Sequence, residues 1–387
     1  MRRLGRKLGE GRLLVAGTLS GTSGDGIDVV VTELDVEGEL HGGRVVAVRG
    51  RVFETLPFPC ELAPRVRGAL DGEALGPAEI AQLGRDLGTA FGRAARRVAE
   101  AAGLELDLLG SHGLTVFHHD GAPPGDRASL QLGEGDHAAE AAGCPVVSDF
   151  RQADLAAGGE GAPVSVLADD LVFAEAPRPA AILNLGGIAN LSWLPAGGEP
   201  LAFDSGPANC LLDGLARERL GADCDRDGRA AARGRARPEL LAAWLDHPFF
   251  CAPHPKSTGR DTFGPGWLRR LLAGAGGEVA TEDLLATAVE LVAETVSRAV
   301  AALPEAPRVL WVAGGGVHNP ALMGALARRV GCELRSAAEA GVDPDAREAL
   351  VFAVLAGRCV LGEPVTRQAA TGARPGRVLG KISPGPR

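Results

Sequence analysis

The apolar positions of the chain follow two periods. Short apolar runs at 13–17, 27–34 and 42–53, parted by turn residues, predict an opening meander of three strands. Over 78–102 the period lengthens: Ile80, Leu83, Leu87, Phe91, Ala94 and Val98 fall on one stripe, which predicts an amphipathic helix. Further on, strands are predicted at 106–110, 130–132 and 145–147, with helices at 136–142 and up to 174 flanking a glycine-rich connector, 156–163. At 180 the pattern restarts. Strands at 181–185 and 188–194 meet at Gly186–Gly187, helices follow at 208–220, 237–245, 266–272 and 281–303, and strand 309–313 leads into helix 320–330. A helix at 344–361 and a tail strand at 377–382 close the chain. Strands alternating with helices predict an α/β fold. The restart predicts two domains, 12–165 and 166–371, with the tail 372–387 returning to the first.

Composition narrows this picture. The 387 residues are 45% hydrophobic, enough for buried cores, and Gly 55 with Pro 26 stays below the low-complexity range. The net charge of −9 argues against nucleic acid as the main partner, and the arginine-rich run 226–237 reads as solvated surface. No apolar run reaches membrane-spanning length. The basic opening reads as a tail before the first strand, not a leader, because its apolar part is too short. Seven scattered cysteines without a CxxC pair fit free thiols in a reducing cytoplasm. There is no tyrosine, so no mechanism can use one, and there is no HExxH zinc motif.

Four glycine-rich turns are the candidate chemistry. The loop 17–26 carries Gly21, Thr22, Ser23, Gly24, Asp25 and Gly26 between two strands, a concentration of N–H and O–H donors suited to phosphate oxygens. It is neither a Walker A loop nor a GxGxxG fingerprint. Asp25 there suits a phosphate-bound Mg²⁺, or is a turn residue. Gly186 and Gly187 form a second hairpin turn. Phe203-Asp-Ser-Gly-Pro-Ala-Asn209, containing Gly206, and Gly314, Gly315 and Gly316 before Asn319 each precede a predicted helix, whose N-terminus favours anions. On its own, Asp204 reads as a helix N-cap. Two hairpin phosphate loops on two similar domains resemble the actin/Hsp70-like (ribonuclease H-like) ATPases, in which ATP lies in a cleft between the domains.

The segments GTLSGTSGDGID, SHGLTVFHH, SLQLGEGDHAAEAAGCPVVSDFRQADLAAGGEGAP, LNLGGIANL, FDSGPAN, PKSTGRDTF, GGGVHNP and GVDPDAREALVFA occur in this order. As a series they resemble the anhydro-N-acetylmuramic acid kinases of peptidoglycan recycling. The resemblance implies a cytoplasmic, homodimeric sugar kinase. With ATP, Mg²⁺ and one water it would open a 1,6-anhydro ring and phosphorylate O6. It carries the catalytic base onto Asp204, the nucleotide contacts onto the glycine turns and Asn319, and sugar contacts onto His112, Thr115, Arg151 and Glu348. Arg151 then suits the lactyl carboxylate, since a guanidinium binds carboxylates in a fork. The bland alternatives are an ion pair for Arg151 and a core histidine for His112. Lys256 reads as structural, and His118 and His119 as lid or surface residues. Leu114, Gly24 and Glu160 stand where the family usually has Gln, Leu or Met, and Gln; Leu114 would remove an amide close to the sugar. Two rivals are a kinase for another anhydro-sugar such as levoglucosan, and a non-catalytic nucleotide switch of the same fold.

Overall fold

The computed structural model describes residues 2–21, 24–119, 122–123, 125–275 and 279–386. Its strands are β1 Arg12–Ser20, β2 Ile27–Glu37, β3 Arg44–Leu56, β4 Leu108–His118, β5 Ser129–Leu132, β6 Val146–Ser148, β7 Ala180–Leu185, β8 Ile188–Leu194, β9 Leu201–Pro207, β10 Val309–Ala313, β11 Glu333–Ser336 and β12 Lys381–Ser383. The helices used below are α1 Arg2–Gly9, α2 Pro77–Ala101, α3 Gly135–Ala142, α4 Gln152–Ala156, α5 Val166–Val172, α6 Asn209–Leu220, α7 Thr281–Ala301, α8 Pro320–Arg329 and α9 Arg347–Leu361. The chain divides into two compact units, one of residues 1–118, 123–174 and 346–387, the other of 119–122 and 175–345.

The first unit holds a sheet ordered β12-β6-β4-β1-β2-β3, with β5 paired to β4. β1, β2 and β3 form an antiparallel meander, while β1, β4 and β6 run parallel. The second unit repeats the plan as β9-β8-β7-β10-β11: an antiparallel meander, then two parallel strands. Both sheets are therefore ordered 3-2-1-4-5, the ribonuclease H-like arrangement of actin-like proteins. β7 is buried at every position, as a central strand covered on both faces must be.

Alternation along the strands of the first unit sends neighbouring residues to opposite helical layers. Ala16 and Leu109 belong to the core that α2 covers with Leu83, Leu87 and Phe91. Gly17 and Gly110, one residue on, are register partners beneath α9. A Cβ on Gly17 would lie 1.8 Å from the Ala349 carbonyl oxygen, and one on Gly110 would lie 2.2 Å from that of Phe352. Two adjacent glycines thus make a flat seat on which a helix backbone rests directly.

Some expectations change. Helix α9, expected to close the second domain, packs on β1, β2 and β4 of the first unit, and β12 pairs antiparallel with β6. The opening residues read as a tail form α1, which buries Leu4 and Leu8. Strand β9 lies where only a helix start was expected, so Asp204 sits within a strand and the N-cap alternative falls. None of the seven cysteines is in a disulfide, and burial pushes the Cys144 thiol up to about 12. Among the described residues no helix is long and apolar enough to cross a membrane.

Candidate active site

In the second unit the candidate residues centre on β9. The strand carries a bulge: Ala189 of β8 pairs with Gly206, whereas Asn190 pairs with Asp204. A bulge re-aims side chains and bends its strand, and bulges concentrate beside active sites. Gly206 has φ +151°, and a Cβ there would lie 2.8 Å from the Phe250 ring. Glycine is thus what lets the bulge close on its neighbour. Asp204 is 5% exposed. Its backbone N–H donates to the Lys256 carbonyl at 3.0 Å, and its Oδ2 accepts the Thr258 N–H at 2.8 Å. The PKSTGR segment is therefore a backbone staple on the FDSGPAN strand. A backbone N–H fixes the carboxylate's orientation without supplying a proton. Lys256 donates from Nζ to the Phe249 carbonyl at 2.8 Å and lies over that ring. Burial lowers its ammonium below the usual range, and the Asp204 charge opposes that shift.

The glycine turns differ from one another. Gly21 to Gly26 connects β1 to β2, and Gly186–Gly187 connects β7 to β8, so both expected loops occupy the same place in the two sheets. Thr22 and Ser23 lie outside the described residues. Asp25 is exposed, and Gly24, at φ +65°, lies against Leu70. A Cβ on Gly26 would meet the Leu56 carbonyl at 2.8 Å. The carbonyls of Gly186 and Gly187 accept the N–H groups of Asn209, Ala208 and Cys210, so the first amides of α6 serve this turn. Gly314, at φ +82°, and Gly316 both press on Leu185, and Gly315 opens a single short turn. Asn319 caps α8, its Oδ1 accepting the Leu322 N–H at 3.1 Å.

In the first unit the structure gathers His112, Thr115 and Arg151. Arg151 donates to His112 Nε2 at 3.1 Å, and Thr115 Oγ1 lies 3.4 Å from the same nitrogen. The imidazole that accepts from a guanidinium is neutral and carries its proton on Nδ1. Burial, and then the Arg151 charge, hold His112 well below the usual histidine range. Its ring stacks on Phe352 of α9 at 4.2 Å and 7°. Glu348 lies one helical turn before Phe352, hence on the same face. Residues that the sequence did not single out complete the cluster. Gln131 Nε2 donates to Thr115 Oγ1 at 3.3 Å and to Ser129 Oγ at 2.7 Å, and Gln152 donates to the Ser129 carbonyl at 2.7 Å. Their signal was the alternation of Ser129 and Gln131 on one short strand. His118 and His119 are both buried, not surface residues, and His118 Nδ1 bonds Ser129 Oγ at 3.2 Å.

The model of the anhydro-N-acetylmuramic acid kinase family matches residues 13–385. The chain belongs to the anhydro-N-acetylmuramic acid kinase family. An anhydro-N-acetylmuramic acid kinase of Streptomyces coelicolor is 42% identical over 96% of this chain and 94% of its own length. One of Salinibacter ruber is 40% identical over 97% of each. Among solved structures, a ROK family glucokinase from Streptomyces griseus in complex with glucose and AMPPNP covers 89% of this chain and 99% of its own, at 13% identity and a TM-score of 0.37.

Within the family pattern, the three departures have local answers. Leu114 is fully buried in the core under α2, together with Phe91 and Leu132, while His112 faces Phe352. The positive φ of Gly113 turns the strand between the two side chains. At Gly24, Leu70 fills the space that a side chain would need. Glu160 is buried in an ion pair with Arg127, so the extra charge is matched.

Proposed function

We propose that this kinase converts 1,6-anhydro-N-acetylmuramic acid, ATP and one water into N-acetylmuramic acid 6-phosphate and ADP, in peptidoglycan recycling. The observation that carries the mechanism is the stapled Asp204: a carboxylate nearly removed from solvent and oriented by the Thr258 amide. Such a group is a fixed proton acceptor. Asp204 takes a proton from the water as its oxygen attacks C1. The C1–O6 pair departs onto O6, and O6 takes the γ-phosphoryl group. A positioned base of this kind contributes roughly 10²–10⁴ in rate. The remaining help is positioning and charge stabilisation, which is what phosphoryl transfer mostly needs.

Arg151 is assigned to the lactyl carboxylate, with His112, Thr115 and Glu348 as further sugar contacts. In its neutral form His112 adds no second positive charge beside Arg151. The glycine turns at 21–26, 186–187 and 314–316 are assigned to the nucleotide through their backbones. Among the described residues no three His, Cys, Asp or Glu side chains gather to hold a metal. The exposed Asp25 nevertheless fits Mg²⁺, which keeps most of its ligands from water and phosphate oxygens. The ion would supply charge neutralisation on the phosphates. A cytoplasmic homodimer completes the proposal; cysteines outside disulfides suit a reducing compartment.

A coupled ADP assay on a panel of anhydro- and ordinary sugars tests this reading. ADP release should require the anhydro sugar and be fastest with the lactyl-bearing one. Sugar-independent ADP release, or equal rates without the lactyl group, would overturn it.

A further inference from the structure

Asp204 does not stand alone on its sheet. In the register of the second unit, Asn184 of β7 faces Asn190 of β8, and Asn190 faces Asp204 of β9. Register partners in antiparallel strands project to the same face, with Cβ atoms about 4.5–5.5 Å apart. The three side chains therefore form one polar row across three strands. Asn184 is 2% exposed. The Oδ1 of Asn184 and that of Asn190 are both buried, and neither accepts a hydrogen bond among the described residues. A buried acceptor without a donor is costly, and two in one row with a carboxylate call for a donor that arrives from outside. At the far end of the row Gly314 adds to this. A Cβ there would lie 3.1 Å from Asn184 Oδ1, so glycine leaves that amide uncrowded.

We propose that Asn190 is a positioning residue for the nucleophilic water. This rests on the reading of Asp204 as the base. A water has two O–H groups. One gives its proton to the Asp204 carboxylate. The other donates to Asn190 Oδ1 and stays on the oxygen, which becomes the C1 hydroxyl of the product. Two acceptors side by side fix the plane of the water and leave a lone pair aimed away from both, toward the anomeric carbon. The C1–O6 electrons leave on O6, so the balance is that of the proposed reaction.

The test uses full-length Asn190→Leu, Asn190→Asp and Asn190→Gln with Asp204→Asn in parallel, followed by ADP release with anhydromuramic acid across pH. Asn190→Leu should lower kcat by about 10²-fold, the cost of a misplaced reactant, with the sugar KM nearly unchanged. Asn190→Gln should restore part of that loss. Asn190→Asp places a second carboxylate opposite the base, so the acid limb of kcat/KM should move up by about a pH unit or more. Proximity alone moves that limb, so a merely structural asparagine is told apart by the kcat-against-KM split and by the partial rescue with glutamine. Thermal melts report folding, and the kcat-against-KM split of Asn190→Gln carries the test if the leucine variant does not fold. The inference is overturned if Asn190→Asp leaves the limb in place, or if Asn190→Leu stays within about twofold of wild type. If instead Asp204→Asn keeps its turnover, the base reading itself fails.

Discussion

Gly110→Ala probes the seat under α9. The new Cβ would lie 2.2 Å from the Phe352 carbonyl oxygen and 2.9 Å from the Ala356 Cβ, against an ordinary contact of about 3.5 Å. The obstacle is helix backbone, which no rotamer change can clear, so α9 must lift by about 1 Å. Overpacking of this kind costs about 1–3 kcal/mol. The rigid obstacle and the neighbouring Gly17 contact put the expected value in the upper half. For a unit of roughly 200 residues that is about 4–12 °C in Tm. The same lift carries Phe352 off the His112 ring and shifts Glu348, so the sugar KM should rise while the ATP KM stays put. Gly9→Ala is the control: its Cβ would meet nothing within 4 Å, so its melt should stay at or slightly above wild type. Differential scanning fluorimetry with initial-rate kinetics reads both. A Gly110→Ala protein melting within about 1 °C of wild type would refute the packing argument.

Arg151→Ala should raise the KM for a lactyl-bearing anhydro-sugar and leave that for levoglucosan unchanged; equal losses on both would remove the lactyl role. The fully buried Asp169–Arg347 pair, bonded through both guanidinium Nε and Nη2, makes a second case. Arg347→Met should cost about 3–5 kcal/mol in urea unfolding, and the double variant Asp169→Leu/Arg347→Met much less, because the single change removes the guanidinium that balances a buried carboxylate. His112, held neutral by burial, has a folded-state pKa below its unfolded value of about 6.5. Its contribution is fully present above that unfolded value and is lost as pH falls from there toward the folded one, at up to about 1.4 kcal/mol per pH unit. Melts taken from pH 7.5 down to 5 should fall more steeply in wild type than in His112→Asn; parallel curves would contradict this.

Most of the architecture is legible from periodicity, and the exceptions have physical causes. β7, β8 and β10 are apolar runs between turn residues, and the structure places them at or within a residue of the expected bounds. β9 was missed because Phe-Asp-Ser-Gly-Pro has no alternation and carries two strand breakers. A bulge and the pairing with β8 override that local preference. α9 went to the wrong unit because an apolar helix announces burial but not its partner. The partner is announced by Gly17 and Gly110, far away in sequence. Glycines outside the four turns are packing devices: Gly88 and Gly92 of α2 would each place a Cβ 2.3 Å from a carbonyl oxygen, those of Glu134 and Ala138. At the candidate site, motifs named Asp204, His112, Thr115 and Arg151. The staple from Thr258, the Gln131–Ser129 bonds and the asparagine row needed the register, which a sequence does not contain.

The central claim is that Asp204 is the base that activates water. Its most direct test is ADP release by Asp204→Asn with anhydromuramic acid and ATP, alongside nucleotide binding by the same protein. Asparagine keeps an oxygen for the Thr258 amide but cannot take a proton. Turnover should fall by about 10²–10⁴ while ATP still binds as in wild type. Near-normal phosphoryl transfer to the sugar by Asp204→Asn would contradict the account.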